Sequence, residues 1–138
     1  MRQLMVLVAG LLLVAGCGAT PATETHTVTF QLETVDPTAY TDIKAEYAMV
    51  PLAEEKSKTY DTSWKKDVTI HYPDVARVAV TGEIELNDDV LVPDPGATAA
   101  RLQCQIWVDG VLVSQHVGHT VTCVHTMKPG KQARLATS

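Results

Sequence analysis

The chain is short of positive charge: 11 Lys and Arg face 16 Asp and Glu, a formal net charge of −5 over 138 residues. Only Arg2 precedes residue 17, so the rest of the chain carries 10 bases (11 less 1) against all 16 acids, a net of −6. A body this acidic is a poor partner for nucleic acid, whose phosphates need clustered Lys and Arg. Only the N-terminus holds a long apolar run, which excludes a multi-span membrane protein. Eight glycines and seven prolines without a three-residue period exclude collagen. There is no heptad pattern for a coiled coil and no internal repeat. Catalytic signatures are also scarce. The chain has no Gly-x-Ser-x-Gly elbow and no phosphate loop. Ser63-Trp64-Lys65-Lys66 matches Ser-x-x-Lys in letters only. That chemistry needs a helix start with further Ser-Asp-Asn and Lys-Thr-Gly elements, and here the context is a strand.

The apolar run that is present reads as an address. Twelve of the first 16 residues are apolar, opening on Met1-Arg2-Gln3 and running from Leu4 to Ala15. Twelve helical residues span about 18 Å, short of the roughly 30 Å hydrocarbon core, so a cleaved export signal over 1–16 is expected. Leu13-Val14-Ala15-Gly16-Cys17 matches a bacterial lipobox, in which the cysteine is acylated and becomes the new N-terminus. The alternative is an ordinary signal peptide that happens to contain a cysteine. Two or three acyl chains on Cys17 give stable anchoring, where one chain is marginal. Residues 17–25 are small and polar, contain Pro21, and read as a lipidated tether. The expected location is the extracytoplasmic face of a cell membrane.

With Cys17 assigned to lipid, Cys104 and Cys123 have one way to pair, and outside the cytoplasm they are expected to be oxidised. Two reduced buried thiols are the alternative. From residue 26 to 127 the apolar positions recur with period two, which predicts strands. Val28, Phe30 and Leu32 share a face, and Asp36-Pro37 turns the chain. Ile43, Ala45, Tyr47 and Met49 alternate next, in a run whose good helix formers leave a helix open, and Pro51 ends it. Residues 51–62 read as a polar loop. Trp64 to Tyr72 and Arg77 to Glu85 follow as strands, with Gly82 on the inward face of the second, where a bulge or a close backbone approach is expected. Residues 86–98 form the longest irregular region. Leu102, Cys104, Ile106 and Val108 then lead into Asp109-Gly110, a strong two-residue hairpin signal that pairs Val108 with Val111, Trp107 with Leu112 and Ile106 with Val113. Thr120 to Thr126 closes the series. The pattern predicts an all-β fold, an antiparallel Ig-like β-sandwich of about seven strands with one disulfide, followed by a loose basic tail over 128–138.

Candidate sites are few. His116, His119 and His125 are weak candidates for a transition-metal site. Ordinary surface histidines are the alternative, and neither a metal nor a cofactor is expected. Asp88, Asp89 and Asp94 offer oxygen ligands without EF-hand spacing, which favours a solvated acidic loop. Trp107 and Leu112, paired on the hairpin face opposite Cys104, are the candidate partner surface. The alternative is that they face the second sheet or the long loop.

The opening Thr27-Val28-Thr29-Phe30, the central Trp64 with Val68-Thr69-Ile70, the Cys104-to-Val113 hairpin around Asp109-Gly110 and the closing Val121-Thr122-Cys123 occur in that order. The order resembles the MmpS family, small mycobacterial-type transport accessory proteins, over residues 25 to 125. The family usually keeps an uncleaved membrane helix where this chain has a lipobox, and its loops at 51–62 and 86–98 are shorter. The resemblance implies a non-enzymatic protein that assists a resistance-nodulation-division (RND) transporter of MmpL type in exporting lipid or siderophore-like molecules. The expected partners are therefore the membrane, through lipid on Cys17, and such a transporter. A free-standing envelope lipoprotein that binds a small ligand or metal is the second reading.

Overall fold

Alternation on the first strand sets the layout. In β1 (Glu24–Thr34), Val28, Phe30 and Leu32 are fully buried while Thr25, Thr27 and Glu33 are exposed, the pattern of a strand with one face on a core. The structure, a computed structural model, describes residues 23–35, 41–51, 53–59, 63–86, 101–132 and 134. The elements after β1 are β2 (Thr41–Val50), β3 (Ala53–Thr59), β4 (Ser63–Tyr72), β5 (Arg77–Leu86), β6 (Leu102–Val108), β7 (Val111–Gly118) and β8 (Thr120–Thr126). They form two antiparallel four-stranded sheets, ordered β4-β1-β6-β7 and β3-β2-β5-β8. Among the described residues there is no helix, so β2 takes the strand alternative left open by its composition. The fold is the expected disulfide-tied antiparallel β-sandwich, Ig-like in architecture with a strand order of its own.

The inward positions of both sheets meet in one core. β2 supplies Ile43, Ala45 and Tyr47, β5 supplies Val78 and Val80, β6 supplies Leu102, Ile106 and Val108, and β8 supplies Val121. Phe30, Tyr47 and Trp64 form an aromatic chain across the layers, with ring centroids 5.2 Å and then 5.9 Å apart. Between the sheets, Cys104 of β6 and Cys123 of β8 form the disulfide, both sulfurs within the core.

Three expectations are corrected in detail. Residues 51–62 are not all loop: β3 occupies Ala53–Thr59 and pairs with β2 from Ile43↔Thr59 to Met49↔Ala53. Its sequence, Ala-Glu-Glu-Lys-Ser-Lys-Thr, has no apolar alternation because an edge strand is held by one backbone ladder and is commonly charged. The hairpin keeps Val108↔Val111 and Trp107↔Leu112, but a bulge then pairs Ile106 with Ser114 rather than Val113. Val113 stays buried, and the bulge bends β7 where it runs beside β8. The tail is not loose from Lys128: Gln132 is buried, its Nε2 donates to Lys128 O and Gly130 O, and Gly130 N donates to Glu24 Oε2 at 2.8 Å.

Gly82 makes a close approach to the opposite sheet. A Cβ there would lie 2.6 Å from Leu102 Cδ2 and 2.7 Å from Leu32 Cδ2, both on fully buried side chains. Gly82→Ala should therefore destabilise the domain by about 1–2 kcal/mol through overpacking, despite the entropy gain of losing a glycine. Urea unfolding reads this directly. A stabilised variant would mean that the two leucines relax freely.

Candidate functional site

The solvent face of the β4-β1-β6-β7 sheet is built in rows, because directly paired residues share a face. One row reads Lys65–Gln31–Gln105–Gln115 across β4, β1, β6 and β7. The next reads Asp67–Thr29–Trp107–Leu112, and a third Ser63–Glu33–Gln103–Val117. Thr29 Oγ1 donates to Asp67 at 2.6 Å. Gln31, Gln103 and Gln105 are half-buried and Gln115 is exposed, so the centre of the face is a band of amides that can donate and accept.

Trp107 and Leu112 stand beside that band. The alternation of β6 buries Leu102, Cys104, Ile106 and Val108 and turns Trp107 to the opposite face, so neither residue of the pair points at the second sheet. Both are half-buried. The indole Nε1 of Trp107 is enclosed and has no hydrogen-bond partner among the described residues. An enclosed donor without an acceptor carries a desolvation cost of roughly 1–3 kcal/mol.

A second constellation was not legible as one. His26, on the inward register of β1, is 6% exposed. Its Nδ1 donates to Asp109 Oδ2 at 2.7 Å, and its Nε2 lies 3.4 Å from Glu24 Oε2. Asp109 Oδ1 accepts from Thr27 N at 2.9 Å, and Asp109 N donates to Thr27 O at 2.9 Å. Asp109 and Gly110 have φ of 50° and 78°, the left-handed pair that an Asp-Gly hairpin turn requires. Partial burial works against ionisation of the Asp109 carboxyl. The hydrogen bonds from His26 and Thr27 N–H and the charge of His26 outweigh it and hold the pKa below its ordinary 3.8. The group therefore locks the hairpin turn onto the start of β1. The sequence signal that could have exposed it is a histidine two positions ahead of Val28 on the inward face.

The histidine candidates are not gathered. His119 immediately precedes β8 and His125 is its penultimate residue, six residues and roughly 20 Å apart along an extended strand. His125 Nε2 meets Gln132 Oε1 at 3.0 Å, and His116 lies exposed on β7 opposite Cys104. Among the described residues no three His, Cys, Asp or Glu side chains cluster to hold a metal ion. Ser63 and Lys66 lie on β4 three residues apart, so they point to opposite faces and form no Ser–Lys pair. Cys17 with residues 1–22, and Asp88, Asp89 and Asp94, lie outside the described residues.

No family model matches the chain, and no curated protein matches it either.

Proposed function

We propose that this chain is a lipid-anchored, extracytoplasmic accessory protein that docks on an RND transporter of MmpL type and assists export of lipid or siderophore-like molecules. The observation that carries the reading is the solvent face of the β4-β1-β6-β7 sheet: Trp107 and Leu112 side by side, next to a band of glutamine amides. Aromatic anchors surrounded by polar groups are the usual make-up of an interface hot spot. The buried Cys104–Cys123 bridge suits an oxidising compartment, and the lipobox at Cys17 supplies the anchor. The family resemblance over 25–125 names the partner class.

In-cell photo-crosslinking of the full-length chain tests this. A crosslinker at Gln115, beside Leu112, should capture a large multi-span transporter, while one at Thr122 on the opposite sheet should not. Trp107→Ala combined with Leu112→Ala should cut the yield about tenfold or more. Equal yields from both faces, or adducts without any transporter, contradict the proposal.

A further inference from the structure

The basic tail has no part in that docking role. Lys128, Lys131 and Arg134 fall in an eleven-residue stretch without an acid, and all three are exposed. Their position is fixed by the residues around them. Gly130 N donates to Glu24 Oε2, Met127 N donates to Ala76 O, and Met127 is buried. Gln132 is held by His125 and by the backbone of Lys128 and Gly130. The bases therefore lie at the end of the sandwich where β1 begins, and Glu24 is only seven residues from Cys17. Seven extended residues reach at most about 25 Å.

The charges at this end can be followed group by group. Against these bases stand Glu24, which accepts from Gly130 N, Asp109, which accepts from His26 Nδ1 and Thr27 N, and the exposed Asp74. His71 Nδ1 bonds Thr25 Oγ1, and His125 is on Gln132. Arg77, exposed at the start of β5, adds a fourth base. At the opposite end stand Glu33, Asp42 and Glu85 with Arg101. The three tail bases and Arg77, whose strand partner is Thr126, thus gather at the end from which the tether leaves.

We infer that this end is a second membrane contact, in which Lys128, Lys131 and Arg134 engage the phosphates of anionic lipids in the bilayer that carries Cys17. The inference rests on the anchored reading for its geometry. It gives the lipid anchor the polybasic companion that fixes orientation, holding the sandwich upright with its β4-β1-β6-β7 face lateral. Each base beside an anionic surface is worth about fivefold in occupancy, and the effect falls away with salt.

The test uses the full chain purified from membranes and mixed with vesicles of phosphatidylcholine alone or with three parts in ten of phosphatidylglycerol. Flotation is read first, then amide exchange over 127–134. Support is flotation with both compositions and exchange slowed about tenfold on the anionic vesicles only. That slowing should be reversed by high salt and lost when Lys128, Lys131 and Arg134 are all changed to Gln. Flotation with both but identical exchange overturns the inference and leaves the anchor standing. Flotation only with anionic vesicles overturns the anchor and supports the basic contact. Flotation with neither overturns both.

Discussion

Replacing Cys104 and Cys123 together by alanine should lower the stability of the domain by about 3 kcal/mol. The bridge closes a loop with a sequence separation of 19, and in the chain-entropy account such a crosslink removes about that much from the unfolded ensemble. It also ties β6 to β8, two strands of different sheets that share no hydrogen-bonded ladder. Both cysteines are fully enclosed, so the double substitution leaves a small void as well. For a domain of this size the loss corresponds to a fall in Tm of roughly 10 °C. The same fall should follow when the unmodified protein is unfolded and refolded with reductant. An unchanged melt with two titratable thiols would contradict it.

The second large effect belongs to the hairpin lock. Asp109→Ala should cost about 2–3 kcal/mol, because it removes the acceptor for His26 Nδ1 and Thr27 N and places a Cβ-bearing residue without compensation at φ 50°. Asp109→Asn should cost only about 1 kcal/mol, since asparagine tolerates that backbone and keeps an acceptor. The acid dependence has a definite sign. The folded Asp109 carboxyl is depressed below 3.8, so its contribution is complete above that value and is lost as pH falls through the folded pKa. Asp109→Ala should therefore flatten the fall in stability below about pH 4 relative to the unmodified chain. Urea titrations from pH 6 to pH 3 measure both effects, and parallel curves for the two proteins would assign the acid loss elsewhere.

Much of the fold could be read from the chain because inward positions declare themselves by period two. Val28, Phe30 and Leu32, then Leu102, Cys104, Ile106 and Val108, needed only alternation and a turn. Asp109-Gly110 was legible as a turn because the left-handed backbone selects those residues. β3 was not legible, since a charged edge strand carries no burial signal. The bulge at Val113 escaped because a one-residue register shift depends on the path of β7 beside β8, a tertiary fact. His26 and Gln132 escaped for a related reason. Each is a polar residue buried by partners more than 80 residues or only a few residues away, and local composition distinguishes neither from a surface residue. Of the candidate site, the pairing of Trp107 with Leu112 followed from hairpin register. The amide row Gln31–Gln105–Gln115 did not, because it joins strands distant in sequence.

Anchor, bridge and domain meet in one observable. The decisive measurement is the intact mass of the mature chain recovered from cell membranes, with and without reductant. The expected product is a polypeptide that begins at Cys17, carries a diacylglyceryl group there, and is lighter by two hydrogens than its reduced form. A mature chain with an unmodified Cys17, or one whose mass does not change on reduction, would contradict it.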